Sequence, residues 1–212
     1  MSRNKNSGDT IQLILDTSLN LFLEKGYEET TVLDIVDGMG GLTRGAFYHH
    51  FKSKEEVVSA ISTKLFVDDN PFKQVREHTE LNGLEKVKWV LNNSNKNIIN
   101  EKIELDLTKL LNSPTLLKKL VDDNKIILAP LFEELIAEGK NDGSIEVNSP
   151  KIVSELFVLL INFWTIPILF PCSQEEQNEK LGMIMEILAG VGLDLRDGNI
   201  EETMKKQVES MK

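Results

Sequence analysis

From residue 9 onward apolar positions recur every three or four residues, and no run alternates apolar with polar between hairpin turns. That pattern predicts an all-α chain of about nine helices. The first helix is expected from Asp9, whose spacing to Gln12 suits a capping box, to Gly26, with Ile11, Leu15, Leu19 and Phe22 as its buried stripe. A short second helix opens at Thr31, has Asp34 three residues on, and offers Val32, Ile35 and Val36 to a core before Gly38, Gly40 and Gly41 break it. A third begins at Thr43. Ser53 with Glu56 makes another capping box, opening a fourth helix that carries Val57, Ile61 and Leu65 and ends near Pro71.

Beyond residue 72 the elements lengthen, with helices expected at 82–99, 101–112, 114–139, 150–170 and 174–192. Ser113-Pro114 and Ser149-Pro150 each read as a helix start with proline at the first position, and Asn141-Asp142-Gly143-Ser144 is the clearest loop. The expected organisation is a flexible arm over 1–8, a helix-turn-helix head over 9–52, a larger helical body over 53–193 and a polar C-terminal tail over 194–212.

Length and composition narrow the class. A chain of 212 residues, 41% hydrophobic, is long enough for a small head and a larger body with a core of its own. The single Cys172 cannot form an internal disulfide, and the first ten residues lack the apolar stretch of a signal peptide, so a reducing cytoplasm is the expected location. The longest apolar run, Leu156 to Phe170, is interrupted by Asn162 and Pro167 and falls short of the roughly 18–20 residues that span a bilayer, so no membrane anchor is expected.

The net charge of −10 weighs against a nucleic-acid partner, because binding DNA displaces counterions from phosphates with Lys and Arg. Its distribution relieves the objection. Residues 1–54 hold six Lys or Arg against seven Asp or Glu, a balance of −1, which leaves −9 for the remainder. An acidic body behind a near-neutral head orients a molecule on DNA and suppresses indiscriminate binding.

Enzyme chemistry finds no support in the spacing. There is no H-x-x-x-H or E-x-x-H pair, no paired cysteines, no phosphate-binding glycine loop and no nucleophile elbow, so no metal and no cofactor are expected.

Three short helices within the first 50 residues, two of them joined by a glycine turn, are the pattern of a helix-turn-helix unit whose third helix is the reader. Leu42, Phe47 and Phe51 are spaced to point inward and pin that helix. Thr43, Arg44 and Gly45 open it, where side chains and free N–H groups meet a groove. Arg44 can pair with a guanine edge or sit on a phosphate. Gly45 costs helix stability but admits a close backbone approach. Tyr48 and His49 follow the inward Phe47 and project outward, whereas His50 suits packing or capping. Lys54 stands in the first turn of the fourth helix, where a cation opposes the helix dipole unless an anion is near. Thr31 is placed similarly, although Thr31 and Thr43 serve as caps with or without DNA.

The stretch LTRGAFYHHFKSKEEV from Leu42 to Val57, with the preceding GYEETTVLDIV and the first amphipathic helix, resembles the signature of the TetR family of bacterial transcriptional regulators over residues 9–57. The resemblance implies DNA contacts at Thr31, Thr43, Arg44, Tyr48, His49 and Lys54. It also implies a homodimer on a palindromic operator, and repression released by a small-molecule effector. One departure stands out: GMGGLT carries one glycine more than the family's usual turn, which predicts a reshaped turn.

In the body, the resemblance implies that the last two long helices pair between chains, and Leu156, Leu160, Leu181, Ile184, Met185 and Leu188 are the candidate dimer residues. Candidate effector-pocket residues are Trp89, Asn93, Phe132, Asn162, Phe163 and Trp164, which mix aromatic walls with amides. The competing reading is a helical protein-binding module of the same fold without strong DNA affinity.

Overall fold

The computed structural model describes residues 3–63, 71–93 and 112–209. These are helical, with no strand among them. Contacts divide the chain into two compact units, residues 1–68 with 105–118, and residues 69–104 with 119–212.

In the first unit α1 (Arg3–Lys25) starts six residues before the expected Asp9. The Asp9–Gln12 capping box does not form. The Gln12 amide instead donates to Asp16 Oδ1 at 2.6 Å, an i,i+4 pair inside a helix already under way. The buried face runs through Ile14, Leu15, Ser18 and Phe22, while Ile11 and Leu19 are only half-buried. At the end of α1, Gly26 takes φ 90° and its N–H closes on Phe22 O at 3.0 Å. The left-handed residue turns the chain back so that Tyr27, 1% exposed, lays its ring edge-on to Phe22 at 5.1 Å.

Helix α2 (Val32–Gly38) opens with the expected capping box between Thr31 and Asp34. Helix α3 (Arg44–His50) is capped by Thr43, and α4 (Lys54–Thr63) follows after three residues. Phe47, Phe51, Ile35, Val36 and Val57 close the core of this unit, with Leu42, Ile61 and Leu116 packed at its margin.

The second unit contains α5 (Pro71–Val75) and α6 (Gly83–Asn93). The expected continuation of α6 to 99, almost all of the helix at 101–112, and Leu65 lie outside the described residues. The expected helix over 114–139 is two α segments with a wider turn between them. These are α7 (Pro114–Asp123), whose residues contribute to both units, and α8 (Ala129–Asp142), with a π-helical turn over Asn124–Leu128. Ala129 N–H bonds back five residues to Asn124 O, and Pro130, which has no N–H to give, follows at once. One extra residue in the turn accommodates the missing donor.

Helix α9 (Pro150–Leu159) likewise widens into a π turn over Leu160–Trp164 and stops there, short of the expected 170. Pro167 disfavours helical backbone at the residue before it, and Gln177 captures Thr165 O at 3.0 Å instead. Helix α10 (Gln174–Gly190) opens with a second capping box, Ser173 with Glu176.

The segment from 194, expected as a polar tail, forms α11 (Gly198–Glu209) and completes the core of this unit. Leu195 and Ile200 are 0% exposed and Met204 2%. Three apolar residues among many charges are enough when their spacing puts them on one face.

Glycine sets the closest crossing here. A Cβ on Gly83 would fall 2.1 Å from Gly139 N and 2.8 Å from Leu135 O, so α6 and α8 touch backbone to backbone. Around that crossing Phe132 stacks edge-on with Phe72 at 4.8 Å and Phe157 at 4.7 Å. Lys86, 8% exposed, is neutralised by Glu138 across the same pair of helices. The Gly83→Ala variant is expected to lose about 1–3 kcal/mol or more of unfolding free energy, because backbone cannot yield as a side chain does. Urea denaturation checks this, and a midpoint within error of the parent contradicts it.

Candidate nucleic-acid interface

The geometry of the reader begins in the turn before it. Gly40 and Gly41 both hold left-handed backbone, φ 64° and 118°, and neither would meet a neighbour if it carried a Cβ. Both glycines of the longer turn are therefore demanded by backbone conformation rather than by crowding. They bring the chain to Thr43, in extended conformation, whose hydroxyl accepts the Ala46 N–H at 3.2 Å.

From that cap α3 runs seven residues with one fully buried side chain, Phe47 at 0%. Burying Phe47 turns the opposite side outward. Arg44, Gly45, Tyr48 and His49 are exposed, Tyr48 by 54% although its ring rests edge-on against Phe47 at 5.4 Å. Gly45 has only Thr43 Oγ1, at 3.6 Å, near the place of a Cβ, so nothing inside the protein requires glycine there. His50 is half-buried and packs its ring against His49 at 4.9 Å.

Two of the expected contact residues are occupied within the chain. The Thr31 hydroxyl donates to Asp34 Oδ2 at 2.6 Å and accepts the Asp34 N–H at 3.1 Å, and Lys25 reaches Asp34 at 2.8 Å. The Lys25 and Thr31 hydrogen bonds hold the Asp34 carboxyl well below the usual carboxylate range.

Lys54 is occupied more fully. Its ammonium donates to Tyr27 O at 2.7 Å, Thr30 O at 3.0 Å and Glu28 O at 3.2 Å, and lies 4.2 Å from the centre of the Tyr27 ring. An ammonium has three protons, and three carbonyls take them. The cation that opposes the α4 dipole is held by carbonyls of the 27–30 loop and not by an external anion.

The same loop is held from two further sides, which the sequence reading missed. Tyr27 donates to Glu55 Oε1 at 3.0 Å; burial first, and then that carboxylate, push the phenol well above its ordinary value. Glu55 itself is lowered, chiefly by Ser53. Ser113, 4% exposed, donates to Glu28 Oε1 at 2.7 Å, and that hydrogen bond leads the causes that lower the Glu28 carboxyl. The only sequence signal was the run of hydrogen-bonding groups in GYEETT, which names no partner 85 residues away.

In the second unit the candidate dimer residues divide. Leu181, Ile184, Met185 and Leu188 are 0–4% exposed within this chain's own core, and Leu156 and Leu160 are half-buried. The periodicity of α10 identified a buried stripe, and its partner is α11 and the body core of the same chain. Among the described residues, the apolar side chains left uncovered on α9 and around α10 are Ile152 at 64%, Leu159 at 54%, Met183 at 49% and Val191 at 39%, beside Val121, Ile126 and Phe170 elsewhere in the unit.

The candidate pocket residues are engaged in several separate local contacts. Phe132 belongs to the core stack. Asn93 donates to Trp89 O at 2.8 Å, and Trp89 packs on the His78 ring at 5.1 Å. Asn162 bonds Asn124 Oδ1 at 2.6 Å, joining the two π turns. Trp164 lies below the Lys180 ammonium at 5.9 Å, and Phe163 is half-buried. A surface groove of 550 Å³ is bordered instead by Glu146, Asn148, Ile152, Ala189 and Val191, and a smaller one of 210 Å³ by Asn178, Met185, Arg196 and Met204.

Comparison with known proteins places the first unit in context. Residues 14–61 match the family described as bacterial regulatory proteins, tetR family. The Transposon Tn10 TetC protein of Escherichia coli is 41% identical over 56 residues, 26% of this chain and 28% of that protein. The HTH-type transcriptional repressor KstR2 of Rhodococcus jostii (strain RHA1) is 48% identical over 56 residues, 26% of each. The matched stretch thus spans about a quarter of these relatives. Structural likeness extends further. A gamma-butyrolactone receptor (ArpA-like protein) superposes with TM-score 0.53 at 15% identity, covering 98% of this chain and 99% of that one. The FadR repressor of Thermus thermophilus gives 0.55 at 16% identity, covering 89% and 97%. At such identities the likeness is one of fold.

Two outcomes follow from the geometry around Lys54. Lys54→Gln removes two part-buried and one exposed hydrogen bond to the loop carbonyls and is expected to cost about 1–3 kcal/mol of the first unit's stability, read by denaturant unfolding. Glu28, Asp34 and Glu55 all have folded values below their unfolded ones. The stability they confer is present above about pH 4, the range of unfolded carboxylates, and is lost as pH falls through the folded values. Amide protection factors in α2, exchange rates corrected for the intrinsic pH dependence, should therefore fall on acidification, and Asp34→Asn should flatten that response. An α2 equally protected at pH 2 and pH 7 in the parent protein contradicts it.

Proposed function

We propose that this chain is a TetR-family, DNA-binding regulator of transcription that uses α3 as its recognition helix, a reading supported by the family match over residues 14–61. The observation that carries the reading is the outer face of α3. Arg44, Gly45, Tyr48 and His49 are exposed, Tyr48 and His49 touching only the rings of Phe47 and His50, on a helix that is capped at Thr43 and pinned by Phe47. An exposed arginine and tyrosine at the start and middle of a short helix match what a major groove accepts, bidentate donors for guanine and hydroxyls for phosphate. Thr43 caps the helix that carries them, and Thr31 anchors the helix before it.

A palindromic operator needs two such helices about 34–36 Å apart, hence a homodimer. The face that serves it is the uncovered apolar set Ile152 and Leu159 on α9, Met183 on α10 and Val191 at its C-cap, in place of the core residues Leu181, Ile184, Met185 and Leu188. Repression relieved by a small molecule is the expected mode. The two π turns and the Asn124–Asn162 pair between them are the place in the body where helices depart from regular bonding, as helices often do at functional sites. No helix among the described residues is long and apolar enough to cross a membrane, in keeping with a cytoplasmic regulator.

Fluorescence anisotropy with labelled DNA from upstream of the chain's own gene tests this. The protein should form one complex of two chains per duplex. An Arg44→Ala, Tyr48→Ala double variant should bind at least about tenfold more weakly, since a bidentate base contact alone is worth ~1–3 kcal/mol. Equal, feeble binding by both proteins on every fragment would instead favour a helical protein-binding module.

A further inference from the structure

Between residues 8 and 63 the first unit has four cationic side chains, Lys25, Arg44, Lys52 and Lys54. Lys25 is held by Asp34 and Lys54 by three carbonyls. Arg44 and Lys52 are exposed and have no ion-pair partner among the described residues. Resting on the DNA-binding reading above, we infer that Lys52, and not Lys54, is the lysine that neutralises a backbone phosphate.

The local geometry suits Lys52 to that task. Phe51 ends α3 in extended conformation, φ −136° and ψ 135°, with its ring in the core. The next N–H, that of Lys52, is fixed by Glu56 Oε2 at 2.7 Å. The side chain therefore leaves a backbone anchored on both sides, which lowers the entropy lost on contact. Arg44 opens α3 and Lys52 follows its end, so the two cations bracket Tyr48 and His49. The seven residues between these ends span about 10 Å at 1.5 Å each, comparable with the ~12 Å width of a major groove. Lys54 is excluded by donor count. Moving its ammonium to a phosphate would give up three carbonyl hydrogen bonds, two of them part-buried, although Tyr27 O would keep the Thr30 N–H.

The test is the salt dependence of binding to the same labelled duplex between 50 and 200 mM salt. Each neutralised phosphate contributes about 0.9 to the slope of log K against log salt, so losing one lysine per protomer should reduce a dimer's slope by about 1.8. Across a fourfold change in salt, Lys52→Gln should therefore lose roughly twelvefold less affinity than the parent protein. Lys52→Arg should keep the parent slope, and Lys54→Gln, assayed at a temperature where circular dichroism shows it folded, should keep it too. A Lys52→Gln slope equal to the parent's overturns the inference while leaving DNA binding intact. A slope lost in Lys54→Gln also overturns it. Absence of salt-dependent binding by the parent protein removes both the inference and the reading on which it rests.

Discussion

A seven-residue helix cannot hold itself together in water. Nucleation fixes several backbone dihedrals for one hydrogen bond, and isolated helices below about 12–15 residues are marginal. Helix α3 must therefore import its stability, and it does so through Phe47 at 0% exposure and Phe51 at 8%. Everything else in the first unit follows from giving those rings somewhere to go. Helix α1 supplies Ile14 and Phe22, α2 supplies Ile35, and the left-handed Gly26 delivers Tyr27 against Phe22. Because the anchor lies on one side, the other side of α3 is free to be chosen for its chemistry.

The 27–30 loop shows how such a small unit is kept in register. Its carbonyls are gathered by one ammonium, its phenol by Glu55, and its Glu28 carboxylate by Ser113. Charge-assisted hydrogen bonds of this kind are directional, and those from Lys54 and Glu55 on α4 and from Ser113 fix a loop whose one apolar anchor is Tyr27. The loop ends at Thr31, so the cap of α2 is positioned by the same ties. In the body the corresponding constraint is steric. Gly83 and Gly139 let α6 and α8 meet at backbone distance, and the phenylalanine stack of Phe72, Phe132 and Phe157 fills the space that remains.

Local signals were legible in the sequence because they act over three or four residues. The caps at Thr31, Thr43 and Ser149 are of this kind, as are the inward Phe47 and the outward Tyr48. The illegible features depend on partners far along the chain. Lys54 in a first helical turn looks like an anion ligand until the 27–30 carbonyls appear beside it. Periodicity marked the stripe Leu181, Ile184, Met185 and Leu188 as buried, but a stripe does not say whether its cover comes from the same chain or another. The part that the polar segment from 194 plays in the core was hidden for the converse reason: a mostly polar helix needs only Ile200 and Met204 on one side to complete a core. The π turns at 124–128 and 160–164 leave no periodic trace, since each inserts a single residue.

The central claim is that α3 presents its Arg44, Tyr48 and His49 face to DNA. Hydrogen–deuterium exchange of the whole chain, with and without the duplex it binds most tightly, tests that claim without any substitution. The account predicts added protection concentrated in residues 43–52, where the exposed helix and the Lys52 anchor lie. Protection confined to the body, or none anywhere in the first unit while the duplex is bound, would contradict it.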